Sequence, residues 1–273
     1  MAASLVNVDS LRLLVVGRYI DMAAGCLVIF DTITTLDLEV EFIWKSEMNI
    51  MKGMYFVNRY SAILEFLLTC LRSTITDITQ CPGLLRVEGV IYILGIYIAE
   101  YVFAKRTSVI WGKSKMVLIP LCLYYIGTFI YNFISYYPIL NNARYLVLPT
   151  LNGCLADLPS SDLWIAMLLL VAYDAAMIIL ISLAAINMWR RSGRFHSHLF
   201  RVLYGEGVLF YLYLLAFSIM SLVASKVSNP FLFLFMGRCL RSILASRVIL
   251  HIRQSAHSSH QLPEYPWRHT ILP

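Results

Sequence analysis

Four stretches of this chain, 87–104, 116–137, 163–189 and 207–225, are apolar over lengths approaching the roughly 20 residues that a helix needs to cross about 30 Å of hydrocarbon. Glu88 and Glu100 stand near the ends of the first, Asp174 interrupts the third, and the other two carry no charge. Such runs limit the fold to a membrane bundle or a very large soluble core. Hydrophobic residues reach 59% and charged residues only 14% of a 273-residue chain, against roughly 45–50% and 25% in soluble domains. A globule of this size cannot hide that excess, so the expected solvent is lipid.

Three further stretches are apolar but charged. Residues 11–33 contain Arg12, Arg18, Asp21 and Asp31; 53–71 contain Arg59 and Glu65; 231–252 contain Arg238, Arg241 and Arg247. A charge at the bilayer centre costs about 2.5–3.5 kcal/mol on insertion scales, and the cost falls where charges face inward and pair. The expected fold is therefore all-α: an integral membrane seven-helix bundle over residues 1–253, with 254–273 a short disordered cytoplasmic tail. No cleavable leader is evident in the first ten residues, so the first span is expected to be its own anchor.

Basic residues set the orientation. With the N-terminus outside, the inner loops and tail carry Lys45 and Lys52, then Lys105, Arg106, Lys113 and Lys115, then Arg190, Arg191, Arg194 and Arg201, then Arg253 and Arg268. The outer loops carry only Arg72, Arg86, Arg144 and Lys226. This asymmetry predicts N-terminus out and C-terminus in. Trp44, Trp111, Trp164 and Trp189 fall near span ends, as interfacial residues do. The net charge of +6 is spread over these loops, not along one face, which argues against a nucleic-acid partner.

At about 1.5 Å per residue, residues on different spans can be aligned by depth. Asp21, Asp174 and Arg241 come out near mid-membrane, Glu65 and Arg238 at a shallower level, Arg59 and Glu100 deeper, and Arg247 beside Asp31 at the inner edge. The reading is a network of interhelical ion pairs, either a functional site or a device that fixes helix order. Of six cysteines, Cys26, Cys70, Cys122 and Cys239 lie in spans. Cys81 and Cys154 fall in loops placed outside, where a disulfide can form; two free thiols are the alternative.

No catalytic or cofactor signature is present. The chain has no P-loop, nucleophile elbow or dinucleotide fingerprint. Its six histidines lie on the inner side or at its margin, away from where an intramembrane zinc site would need them. The last span has no lysine to carry retinal. The expectation is no enzyme, no cofactor and no bound metal.

Between the first two spans, 31–60 forms an acidic hinge, DTITTLDLEVEFIWKSEMNIMKGMYFVNRY. A Leu-Asp-x-Glu-Val stretch, an Ile-Trp-Lys triplet and an Asn-Arg-Tyr entry to the next span place Leu36, Glu39, Val40, Ile43, Trp44, Lys45, Asn58, Arg59 and Tyr60 in a fixed order. This order resembles the N-terminal signature of a family of basidiomycete fungal seven-span membrane proteins of unknown function, domain-of-unknown-function family 6533. Other segments resemble it too: Glu100 through Arg106 to Lys115, the Gly153-Cys154 pair, the Tyr204-Glu206-Gly207 entry to span six, and Ser246-Arg247. Two positions depart from the pattern: Lys105 precedes Arg106 where an apolar residue is expected, and Gly205-Glu206 replaces an Arg-Asp pair. The resemblance implies topology and no reaction.

The functional expectation is a receptor-like layout in the plasma membrane or another secretory-pathway membrane. It would take an unknown extracellular ligand and a cytoplasmic protein partner. The alternatives are a small-solute or ion transporter or channel lined by the buried charges, and a structural or scaffolding membrane protein.

Overall fold

The computed structural model describes residues 8–75, 77–112, 115–141, 144–148, 151–157, 160–192, 207–227 and 233–261. The long helices are α1 (Val8–Thr34), α3 (Ile50–Thr74), α4 (Cys81–Ile110), α5 (Lys115–Asn141), α6 (Ser160–Ser192), α7 (Gly207–Val227) and α8 (Leu234–Gln261). Between α1 and α3 lie the short helix α2 (Leu36–Glu39) and a π-helical turn, Val40–Trp44. Among the described residues, α4, α5 and α6 are long and apolar enough to cross a membrane, and the bent α1–α2–π-turn unit makes up to four. The chain is an all-α integral membrane protein by length and composition. The helices α3 and α8 are charged for an inward reason: their buried sides carry the ion pairs described below.

The hinge is built by side chains that compete for backbone carbonyls. Thr32, Thr34 and Thr35 donate to the carbonyls of Val28, Phe30 and Asp31, four residues back. Such bonds bend helices, and here α1 meets the following segment at 57°. The chain does not unravel afterwards, as a loop would; it continues as α2 and a π-turn, a form that recurs at functional sites. Lys52, at the start of α3, reaches back and donates its Nζ to the carbonyls of Trp44 and Ser46 at 3.0 and 2.7 Å. Asn49 caps α3 by accepting from the Lys52 amide at 2.9 Å.

The opposite end carries a β-hairpin absent from the sequence expectation. Strands β1 (Arg144–Leu148) and β2 (Leu151–Asp157) pair antiparallel, with Val147 opposite Cys154 and an irregularity between Val147 and Leu148. Cys154 is bonded to Cys81 at the start of α4, with Cα atoms 5.7 Å apart. Gly153 has φ +118°, and a Cβ there would lie 3.0 Å from the Ser73 backbone, so only glycine lets β2 approach the end of α3 so closely. Before α4, the Thr79 amide and hydroxyl donate to Asp77 at 3.0 and 2.9 Å and hold its carboxyl below the usual range.

Helix α8 runs through residues 254–261, part of the stretch expected as a tail, while Lys113 and residues 193–206 and 262–273 lie outside the described residues.

Helix α8 is central. It packs against α1, α3, α4 and α7 and touches the π-turn, while α6 pairs with α7 and α3 with α4. Two apolar clusters flank it. One joins Ala24, Val28, Ala62, Phe66, Phe235, Cys239 and Ile243 between α1, α3 and α8. The other fills the hinge half between α4, α6, α7 and α8, with Phe103, Met177, Tyr211 and Val248 fully or nearly buried. Outward positions such as Tyr19, Phe30, Leu123, Ile134 and Tyr213 are exposed and apolar, as a lipid-facing surface requires.

Candidate functional site: buried ion pairs around α8

At the middle of the bundle, Arg241 on α8 meets two carboxylates from different helices. Its Nη1 and Nη2 fork onto Asp174 of α6 at 3.1 and 2.7 Å, and Nη1 also contacts Glu100 of α4. Ser218 of α7 accepts from Arg241 and donates to Asp174, each at 2.5 Å. All three charged side chains are almost fully buried, so the pairing carries the full weight of desolvation. Four helices thus share one cluster.

Toward the hairpin end, Arg238 lies 3.6 Å from Glu65 of α3, both buried, close enough to balance charge but not aligned as a hydrogen bond. Its Nη2 donates to Ser61 at 2.8 Å. Gly95 on α4 makes the room: a Cβ there would stand 2.0 Å from Arg238 Nη2 and 2.3 Å from its Nε. Gly95→Ala is expected to push the guanidinium off Glu65 and to cost about 1–3 kcal/mol, as overpacking does. Unfolding in mixed micelles measures it; a loss below about 0.5 kcal/mol, the range of an ordinary surface change, would mean Arg238 has free space to move into.

Toward the hinge end, Arg59 of α3 is enclosed by the signature segment. Its Nε sits 3.1 Å from Glu39 Oε2, off hydrogen-bond alignment, while its Nη1 donates to Tyr55 at 2.9 Å. Its Nη2 donates to Thr35 Oγ1 and to the Thr32 carbonyl. Glu39 Oε1 accepts from Trp44 Nε1 at 3.1 Å and from the Tyr60 hydroxyl at 3.0 Å. Asn58, one residue before Arg59, donates to the Ser242 carbonyl at 3.1 Å, and Ser242 donates to the Asn58 carbonyl at 2.9 Å. Arg253 clamps the hinge to α8 through the Phe42 carbonyl and Ser46. Arg247 pairs with Asp31 at 2.6 Å, but its side chain is about half exposed, so this pair contributes little.

Two expected pairings differ. Asp21 does not join Arg241 and Asp174; it lies 3.9 Å from Arg72, which also contacts Glu88 at 3.2 Å. The reason is rotation. Cys239 and Ile243 of α8 face α1 across an apolar wall, and at about 100° per residue Arg241 points to the opposite side. Arg59 does not meet Glu100, because Arg59 shares a helix face with Tyr55 and looks toward the hinge, whereas Glu100 looks toward α6 and α8. The charges Glu65–Arg238, Asp174–Arg241 and Asp31–Arg247 do lie together. Nothing in the residue types singled out Ser218 or Gly95: a serine and a glycine in an apolar span carry no charge signal.

Of the signature positions, Glu39, Asn58 and Arg59 are buried, while Val40, Trp44 and Tyr60 are exposed. Arg106 lies near the hinge end of α4, and Gly207 begins α7. Among the described residues no three His, Cys, Asp or Glu converge as a metal position. Comparison with curated proteins finds no match. Residues 19–64, which run from α1 through the hinge to Glu39's partner Arg59 and just beyond, match the family of unknown function DUF6533, and in that stretch the chain is similar to it.

Proposed function

We propose that this chain is a seven-span membrane protein with a receptor-like layout, N-terminus outside and C-terminus inside, in which the Arg241 cluster is a two-state coupling element. The observation that carries the reading is that Arg241 has two carboxylate partners on two helices, α4 and α6. A fastener needs one acid per arginine. Two acids offer two pairings close in energy, so a modest bias can move α8 between α4 and α6. In this reading, the disulfide-tied hairpin takes an extracellular ligand, and the hinge with the basic inner loops meets a cytoplasmic protein. The bilayer is that of the plasma membrane or another secretory compartment, and the chain catalyses no reaction.

Spin labels at Lys105→Cys on α4 and Ile252→Cys on α8, with Cys26 and Cys122 replaced by alanine, test the coupling. Glu100→Gln and Asp174→Asn remove opposite pairings and are expected to give two different inter-label distance distributions. Identical distributions in both variants and the parent would reduce the cluster to a fastener.

A further inference from the structure

The hinge carries its residues in rows. Leu36–Glu39 and the π-turn Val40–Trp44 form one unbroken helical path, with Glu39, Val40 and Lys45 all in the right-handed helical region. In an α-helix a step of four residues overshoots the turn of about 3.6. The wider π-turn offsets that drift, so residues four apart stay in line. The rows differ in kind. Glu39 and Ile43 are buried against the bundle, and Leu38 and Phe42 are half-buried. Leu36, Val40 and Trp44 are exposed and apolar, whereas Asp37, Glu41 and Lys45 are exposed and charged. Around the axis the apolar row borders the buried one, and the charged row borders the half-buried one. The free side of the segment is thus split into an apolar flank and a charged flank.

Trp44 indicates what covers the apolar flank. Its indole nitrogen, the polar handle that an interfacial tryptophan usually turns to water, donates inward to Glu39 at 3.1 Å. What the half-exposed residue offers outward is ring carbon. The row also continues a surface that lipid covers. Phe30 and Ile33 stand exposed on the last turns of α1, in the apolar part of the bent unit, and Ile33 precedes Leu36 by three residues. The 57° bend turns the row from the line of α1 toward the plane of the bilayer. A helical segment with one apolar and one charged flank, placed beside the end of a span, suits a lipid–water boundary. We infer that Leu36, Val40 and Trp44 dock on the bilayer at the hinge end, about 5–10 Å into the boundary between headgroups and acyl chains, with Asp37, Glu41 and Lys45 in water. The contact reaches the bundle through two links. Glu39 holds Trp44 and lies against Arg59 of α3, and Arg253 of α8 donates to the Phe42 carbonyl. The assignment needs only a bilayer around the helices and holds whether or not the chain is a receptor.

The test is power saturation of spin labels on the full chain in phosphatidylcholine nanodiscs, with Cys26, Cys70 and Cys122 replaced by alanine. Labels at Leu36→Cys and Val40→Cys are expected to meet oxygen, which concentrates in hydrocarbon, severalfold more than a water-soluble nickel chelate. Labels at Asp37→Cys and Glu41→Cys, one residue along, are expected to show the reverse order. Nickel access at all four positions would put the row in water and overturn the docking. Closure of the Leu36 and Val40 positions to both reagents would overturn it too, because a protein surface would then cover the row. Oxygen excess at all four would sink the whole segment into a span and overturn its place at the boundary. Since a label at Asp37 or Glu41 removes an acid, the unsubstituted chain gives a second readout by NMR. Nitroxide-tagged lipid is expected to broaden the Leu36 and Val40 methyl signals and the Trp44 ring signals, while a soluble gadolinium chelate leaves them sharp. Broadening by gadolinium and not by the tagged lipid would overturn the assignment.

Discussion

Arg241→Met should give a protein that barely holds its bundle. The methionine keeps most of the volume of the arginine stem but leaves Glu100, Asp174 and the Ser218 hydroxyl around an empty position at the centre of four helices. Breaking a buried pair by deleting one partner costs about 3–5 kcal/mol, since the remaining charge is stranded in low dielectric. Here two charges are stranded, which puts the loss at the upper end, against a total stability of about 5–15 kcal/mol. Part of the loss is recovered if the carboxylates take up protons, and that sets the decisive comparison. Arg241→Met combined with Glu100→Gln and Asp174→Asn keeps the shapes and removes all three charges, so it should recover most of the stability that the single change loses. Unfolding in mixed micelles or a thermal melt reads both. If the single variant melts within a few degrees of wild type, or the triple variant is worse than the single, the cluster does not hold the bundle together.

How much of this was legible before the structure follows from what each residue reports. Long, nearly charge-free runs mark helices because a buried backbone must satisfy itself and leave an apolar surface, so α5 to α7 could be placed within about four residues at each end and α4 within about six. Depth was legible in part: one helix rises like another, and that arithmetic put Glu65 with Arg238 and Asp174 with Arg241, but it set Glu100 a level deeper with Arg59, whereas Glu100 also meets Arg241. Azimuth was not. Asp21 has a plausible depth for Arg241, but which way a side chain points depends on which neighbours its helix has chosen, and the apolar wall of Ala24, Val28, Cys239 and Ile243 is a property of the packed assembly.

The hinge shows a different limit. Asp37, Glu39, Glu41 and Lys45 in sequence read as a solvated loop, and Asp37, Glu41 and Lys45 are indeed exposed. Glu39 is buried because an arginine 20 positions later folds back onto it. Composition alone cannot separate a charge that faces water from one that faces a partner. The hairpin was missed for a similar reason: residues 144–157 are too short and apolar to separate from the ends of the flanking spans, and what fixes them as strands is their pairing and the tie to Cys81.

Arg59 shows why residues 19–64 form a unit that can be matched by itself. Its guanidinium donates to Tyr55 on its own helix and to Thr32 and Thr35 where α1 ends, and its Nε lies 3.1 Å from Glu39 in α2, so one side chain gathers three consecutive elements. Glu39 in turn anchors Trp44 and Tyr60. Arg59→Met should therefore do more than remove one ion pair. It strands the fully buried Glu39 and leaves the Thr35 hydroxyl and the Asp31 and Thr32 carbonyls at the end of α1 without their donor, an expected loss of about 3–5 kcal/mol. Arg59→Lys keeps the charge but has no planar fork to span Glu39, Thr35 and Tyr55 together, so it should recover only part of that. The two variants also separate local from global damage. Since α3 is held to α8 independently by Asn58 and Ser242, the first effect of Arg59→Met should be opening of the hinge, seen as faster amide exchange over residues 36–46 with α4 to α7 unchanged. Uniform loss of protection across all helices would show that the hinge and the bundle are one cooperative unit, and unchanged exchange in 36–46 would show that Arg59 does not hold the hinge at all.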